Sequence, residues 1–488
     1  MAEMNLTATG SAMELRRFYI GGRWVDARGT GENVLIDAAT EEPFGLVALA
    51  NDADVDAAVA AARKAFPSWS RTKVADRIAC VERMRTVHLA RTEDMARAIS
   101  REMGAPIDLA RAAQAGAGPR HMANYLKAME GFEFIRPLGP HAPDDRIALE
   151  PVGVAALITP WNWPISQITL KVAAALLAGC TVVLKPSEMA PLSATIFAEI
   201  VDAAGLPPGV FNLVQGDGGT AGQRLVTHPD VDMVSFTGST RAGIAITKAA
   251  ADSLKRVGLE LGGKGANIVF ADADDRAVER GVRQCFVNSG QNCNAPSRML
   301  VERSIYERAV ETAAQTARAI EVGLPSQSGA HIGPVISARQ FDRIQDLIGR
   351  GLDEGARLIA GGPGRPAGLN RGYFVQPTVF ADVRNDMTVA QEEIFGPVLA
   401  MIPFGTEDEA IEIANDTPYG LTNYVQSQDG ERRNRVARSL RSGMVEMNGQ
   451  PRGAGSPFGG VKASGRAREG GTLGIEEFLD VKSISGWG

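Results

Sequence analysis

Cysteine is scarce in this chain, with four among 488 residues: Cys80, Cys180, Cys285 and Cys293. They show no paired spacing, which argues against a disulfide framework and suits free thiols in a reducing cytoplasm. Histidine is nearly as rare. His88, His121, His141, His228 and His331 are scattered without ligand spacing, so no metal site is expected. Long apolar runs are missing too: Val172 to Leu184 is interrupted by Gly179 and Thr181 and is too short to cross a bilayer. The opening stretch from Met1 to Thr7 lacks a basic n-region and an apolar h-region, so no secretory signal is expected. A net charge of -6 leaves no polybasic footprint, and binding to nucleic acid or an anionic membrane is not expected.

What is present is an ordinary globular composition, 44% hydrophobic and 22% charged. The length accommodates two or three domains and a large core. Phe18 to Val25 predicts a hairpin about Gly21-Gly22. Val55, Val59, Ala62 and Phe66 recur at helical spacing, predicting a helix from Ala53 to Phe66. Two more amphipathic helices are expected through His88 and Tyr125. From Glu150 the pattern alternates. Strands are predicted at Val152 to Ile158, Thr181 to Leu184, Val210 to Val214 and Met233 to Phe236, with helices at Ile168 to Ala178 and about Ser193 to Ala204. Buried apolar strands joined by helices predict a parallel sheet covered on both faces. A second α/β region begins near Gly262. It offers a strand from Asn267 to Phe270, then a helix capped by Asp275 with Val278, Val282 and Cys285 facing inward. Gly290 is expected to end that helix, leaving Cys293 in the loop beyond.

Several segments carry chemistry. Cys293 sits in a polar loop between Asn292 and Asn294, whereas Cys80, Cys180 and Cys285 sit on apolar faces. A thiolate there can attack a carbonyl. Glu260 closes an apolar strand before Gly262-Gly263; a buried carboxylate has a raised pKa and suits a general base, unless it is salt-bridged and structural. Asn162, between Trp161 and Trp163, can donate to a developing oxyanion or simply form a turn. Phe236-Thr237-Gly238-Ser239-Thr240 passes from strand to helix, where the helix N-terminus favours a pyrophosphate. An ordinary strand–helix turn reads the same way. Glu188, past the end of the second sheet strand, stands where dinucleotide folds hold the adenosine ribose, and Lys185 can donate to the same ribose. A helix-capping surface glutamate is the alternative.

Taken together, these segments resemble the NAD(P)-dependent aldehyde dehydrogenase family over nearly the whole chain. The matching motifs are Thr159-Pro160-Trp161-Asn162-Trp163-Pro164, Lys185-Pro186-Ser187-Glu188, Phe236-Thr237-Gly238-Ser239-Thr240 and Glu260-Leu261-Gly262-Gly263-Lys264. Gly290-Gln291-Asn292-Cys293, Glu392-Glu393-Ile394-Phe395-Gly396-Pro397, Ala414 to Gly420 and Pro457-Phe458-Gly459-Gly460 continue the series. The resemblance implies Cys293 as nucleophile, with Asn162 and the Cys293 N–H as oxyanion hole and Glu260 as deacylating base. It implies that Glu393 holds the nicotinamide ribose, that Phe395 packs beside the nicotinamide, and that Lys185 and Glu188 hold the adenosine ribose. Trp161 and Ser239 would lie along the pyrophosphate, with Thr159, Ser187 and Gly238 in the same cofactor-binding segments. Glu469 occupies the family's second acidic position, on a proton path. Trp163, Leu170, Asn292, Asn294, Gln450, Arg452 and Phe458 would line the substrate pocket, Leu170 standing where several relatives carry a large aromatic.

The fold expected is α/β: a Rossmann-like parallel-sheet cofactor domain (1–130 and 151–262), an α/β catalytic domain (263–460) and a small β oligomerisation arm (131–150 and 461–488). The function expected is NAD-dependent oxidation of an aldehyde to a carboxylic acid through a cysteine thioester, in a cytoplasmic homodimer or homotetramer, with NADP less favoured than NAD. A CoA-acylating reaction is the nearest alternative, and the glutamate at position 260 argues against it. A non-catalytic structural protein on the same fold is a third reading, opposed by the intact set of Cys293, Glu260 and Asn162.

Overall fold

Val154–Ile158, Thr181–Lys185 and Met233–Thr237 are buried at every residue. Strands of that kind have no face to offer water and must lie inside a covered sheet. A computed structural model describes residues 13–487 of the chain and places them there. The stretch from Met1 to Thr7, expected to carry no secretory signal, lies outside the described residues.

The first large sheet runs in the order Arg256–Glu260, Met233–Thr237, Val154–Ile158, Thr181–Lys185, Phe211–Leu213, Arg17–Ile20, Arg23–Asp26. Its first five strands are parallel; the last two form the expected antiparallel hairpin about Gly21 and Gly22. Val154–Ile158 has successive strands on one side and later ones on the other, so the strand order reverses there. Such a reversal opens a crevice beyond the strand ends. Ile158 pairs with Lys185, Phe236 with Ile158, and Thr237 with Glu260. The register therefore delivers Thr159, Lys185, Gly238 and Glu260 to one edge.

The helix Pro164–Ala178 leaves that edge four residues before the expected start. Proline tolerates the first helical turn because its missing N–H has no partner there, and Gly179 in the left-handed conformation closes the other end. The expected strand from Val152 is shorter, Val154–Ile158. Gly153 breaks it: an added Cβ would stand 1.8 Å from Asp232 Oδ2, which accepts the Val154 N–H. Ahead of the sheet the chain forms Asp52–Trp69 and then three further helices of at least twelve residues, Val74–Ala90, Thr92–Met103 and Ala117–Ala128, rather than two.

A second seven-stranded sheet runs Arg357–Ala360, Thr378–Ala381, Val398–Phe404, Arg298–Glu302, Ala266–Val269, Thr422–Gln426, Met444–Met447, all parallel except the first. Only the link 261–265 separates the two sheets in sequence. Two local expectations fail here. Asp275 does not cap Ala277–Phe286; the helix follows Arg276, whose N–H is accepted by Asp274. Gly290 does not end it either, because the helix stops at Phe286. A third sheet pairs Ile135–Gly139, Ala142–Pro151 and Leu479–Ile484 antiparallel. The chain is an α/β protein.

Candidate active site

Cys293 lies on a loop that distant side chains hold in a conformation most residues avoid. Asn288 and Ser289 are left-handed, at φ 54° and 57°, which is costly for residues with a Cβ. Gln114 Nε2 donates to Asn288 Oδ1 at 3.1 Å, Asn288 Nδ2 to the Asn162 carbonyl at 3.0 Å, and Ser289 Oγ to the Gly333 carbonyl at 2.7 Å. An added Cβ at Gly290 would stand 2.1 Å from the Gly396 oxygen, and one at Gly263 would stand 2.3 Å from the Cys293 oxygen. The loop is thus clamped from both sides. Asn162 is buried and donates from Nδ2 to the Gln291 carbonyl at 2.9 Å. That leaves its second amide hydrogen for another acceptor. Asn162 ties two loops together; it is no exposed turn former.

Carboxylates surround the thiol. Loss of hydration first, then the charges of Glu393, Glu260 and Glu469, push the Cys293 thiol far above its ordinary range, with Arg452 opposing. Glu260 ends its strand 1% exposed, and neither carboxylate oxygen has a hydrogen-bond partner among the described residues. Burial and then the Glu469 charge hold it well above the usual carboxylate range, while Lys171 and Arg468 act against them. Glu260 has no salt-bridge partner among the described residues. Glu469 is the paired one: Lys171 Nζ lies 2.5 Å from its Oε1 and donates to Ser235 Oγ at 3.1 Å. Cys285, by contrast, sits in the apolar cluster with Val282 and Phe286, its thiol pushed up to about 12 by burial.

Along the carboxyl edge of the first sheet, the features suit a dinucleotide. The buried hydroxyls of Thr159 and Thr237 have no partner among the described residues. Ser239 caps the helix Thr240–Ala251 by accepting the Ala242 N–H, and Gly238 precedes it. The Glu188 side chain remains a third exposed, 4.0 Å from Lys185 Nζ. Lys185 itself is buried and donates to the Pro186 and Gly216 carbonyls at 2.8 and 2.6 Å. Its ammonium is thus largely committed to the loop. Ser187 Oγ accepts the Met189 N–H. Farther along, Glu393 Oε1 accepts the Gly263 N–H at 2.9 Å, and burial raises its carboxyl to about 7. Trp161 and Phe395 meet edge to face, centroids 5.4 Å apart, with Phe395 itself left-handed at φ 57°.

Cys293 opens on a cavity of about 630 Å³. Of the predicted pocket residues, Trp163, Leu170, Asn292, Asn294, Arg452 and Phe458 line it. Gln450 does not. Asn448 and Gly449 are both left-handed, at φ 52° and 68°, and turn the chain so that Gln450 stays exposed, away from the cavity. Arg452 pairs with Glu446 at 3.0 Å and lies over the Phe458 ring.

A model of the aldehyde dehydrogenase family matches residues 24–484. The chain belongs to the aldehyde dehydrogenase family. It is 50% identical over 476 residues, 97% of its length and 99% of the relative's, to 3-succinoylsemialdehyde-pyridine dehydrogenase of a Pseudomonas species. Among solved structures, an aldehyde dehydrogenase from Bartonella henselae matches with TM-score 0.96 and 56% identity, over 97% of this chain and all of that one. Aldehyde dehydrogenase C of Pseudomonas syringae, a cysteine-to-alanine mutant complexed with NAD+ and octanal, matches with TM-score 0.95 and 47% identity over 97% of each chain.

Reading this family member's sequence misses residues that the fold brings to the site. Lys171 is one; it is the single charge in the otherwise uncharged helix Pro164–Ala178, and that isolation was the available signal. Gln114 is another, since nothing near it in sequence points to the nucleophile loop. Among the described residues no helix is long and apolar enough to cross a membrane, and no cluster of metal-ligating side chains occurs.

Proposed function

We propose that this aldehyde dehydrogenase oxidises an aldehyde to a carboxylic acid with NAD+ and water. The observation that carries the reading is the buried Glu260 carboxyl, free of hydrogen-bond partners among the described residues and electrostatically linked to the Cys293 thiol. Cys293 sulfur adds to the aldehyde carbon while its proton leaves to a neighbouring carboxylate. Asn162 Nδ2 and the Cys293 N–H hold the oxyanion, a donor of this kind contributing roughly 10²–10³ in rate. NAD+, when bound, supplies the hydride acceptor. Loss of hydride leaves an acyl group on Cys293 as a thioester. Glu260 then takes a proton from the water that displaces the sulfur, and Glu469 with Lys171 carries that proton onward. Glu393, Phe395, Trp161, Thr159, Ser187, Gly238, Ser239, Lys185 and Glu188 would hold the cofactor. The three-stranded sheet, with Ile135, Leu138 and Val481 exposed, would serve as the arm joining a homodimer or homotetramer. The domain limits remain those proposed from the sequence.

The direct test is NADH formation with octanal and 3-succinoylsemialdehyde-pyridine, the first aldehydes suggested by the two relatives, with the product identified. Acid formed without CoA supports hydrolysis. Acyl-CoA formed only when CoA is present would replace it.

Cofactor choice follows from Glu188. Its carboxylate can accept from both adenosine-ribose hydroxyls and would meet a 2′-phosphate as a like charge, which typically costs several kcal/mol. Lys185, already donating to two carbonyls, offers that phosphate little compensation. The kcat/KM for NAD+ is expected to exceed that for NADP+, and Glu188→Ser to narrow the gap from both sides. A wild-type preference for NADP+ would overturn the assignment.

The pH profile tests Glu469. Glu260 works as a base only when ionised, so deacylation-limited turnover falls as pH drops through its raised pKa. Glu469→Gln removes a charge that raises Glu260 and releases Lys171 to lower it, two effects of one sign. The acid limb of kcat is expected to move to lower pH. A limb that stays in place separates the two carboxyls.

A further inference from the structure

The cavity beside Cys293 has one wall made by a single face of the helix Pro164–Ala178. Trp163, Gln167 and Lys171 follow one another a turn apart, so their side chains form one row. The outer two each have a polar partner. The Trp163 indole N–H donates to Asn292 Oδ1 beside the nucleophile, and Lys171 reaches Glu469. Gln167 between them lines the cavity, is 7% exposed and makes no side-chain hydrogen bond among the described residues; its Oε1 is fully buried, while its Nε2, equally without a partner, is not fully buried. The amide N–H group on the cavity side is therefore free to donate to an acceptor on a bound molecule. The Arg120 guanidinium, a donor, lines the same cavity. His121 shares a hydrogen bond with Ser166 Oγ at 2.9 Å, and Arg120 lines the mouth with no carboxylate partner among the described residues. Glu469, the only carboxylate lining the cavity among the described residues, is already paired.

We propose that Gln167 is a specificity-determining residue, donating from its amide to a second carbonyl oxygen on the aldehyde, so that the preferred substrate is an oxo- or carboxy-substituted aldehyde rather than a plain alkanal. The inference rests on the reading of Cys293 as the site of aldehyde addition. It places the second oxygen beside Gln167, on the wall that Trp163 ties to the nucleophile loop. Arg120 at the mouth then acts only where the second oxygen belongs to a carboxylate.

The test compares kcat/KM for pentanal, 4-oxopentanal and 4-oxobutanoate in the wild type, Gln167→Met, Gln167→Glu and Arg120→Ala, each checked for folding by thermal unfolding. The expected wild-type ratio of 4-oxopentanal to pentanal is about tenfold, the value of one satisfied neutral hydrogen bond. Gln167→Met, close in size and without a donor, should bring the ratio near one, and Gln167→Glu, an acceptor when ionised, should take it lower. Arg120→Ala should reduce only the 4-oxobutanoate rate if a carboxylate is the natural group, and should leave the 4-oxopentanal ratio in place. Equal wild-type rates for pentanal and 4-oxopentanal, or a ratio that survives in a folded Gln167 variant, would overturn the inference while leaving aldehyde oxidation intact. No NADH from any aldehyde would overturn the oxidation itself.

Discussion

Cys293→Ala is expected to abolish NADH formation, while Cys285→Ala keeps most of it. The two thiols are close in sequence but face different surroundings. Cys293 opens on the cavity, among three carboxylates that act on it, and its loop is held by Gln114, Asn162 and Gly333. Removing the sulfur takes away the atom that bonds to substrate, a loss on the order of 10⁶-fold where a covalent nucleophile is deleted. The loop anchors do not involve that sulfur, so Cys293→Ala should unfold at the wild-type temperature. Cys285 is fully buried among Val282, Phe286 and Met299, and its only contact of note is a long one to the Val398 carbonyl. Its replacement leaves a small void and costs about 1 kcal/mol. Equal losses of activity from the two substitutions in folded protein would sink the assignment.

Much of this site was legible because its parts lie at the ends of strongly apolar strands. Val154–Ile158 and Thr181–Lys185 announce themselves as buried strands, and Thr159, Lys185 and Glu188 follow directly from them. Glu260 was legible for the same reason, at the end of Arg256–Glu260. Motif resemblance supplied Glu393 and Phe395, whose surroundings in sequence say little. What was not legible depends on partners far away along the chain. The left-handed turn at Asn288 and Ser289 is stabilised by Gln114 and by the Asn162 and Gly333 carbonyls, none of them near in sequence. Local rules therefore extended the helix to Gly290, where glycine usually ends one. Gln450 and Arg452 looked alike from the sequence. Two left-handed residues at the preceding turn send the first away from the cavity, while stacking on Phe458 draws the second into its wall. Lys171 was visible as a charge inside an apolar helix, but only the fold shows Glu469 opposite it.

Glu260→Gln is expected to give an NADH burst of about one equivalent per active site, followed by turnover slowed by roughly 10²–10⁴-fold. Only the hydrolytic step needs a base for water, so the thioester forms at a near-normal rate and then accumulates on Cys293. Because neither Glu260 oxygen makes a hydrogen bond among the described residues, the amide loses no partner that the carboxylate had. The variant should therefore fold, and its stability carries a second signature. A carboxyl whose folded pKa is raised above its ordinary value of 4.5 opposes folding increasingly as pH rises from that value towards the raised one. Glutamine removes this opposition. The unfolding temperature of Glu260→Gln relative to wild type should rise with pH from about 4.5 upward, the opposite of what loss of a salt bridge would produce. A structural carboxylate predicts lower stability and unchanged steady-state turnover. The base predicts a burst, slow turnover and a stability difference that grows with pH, so the two readings part in every measurement.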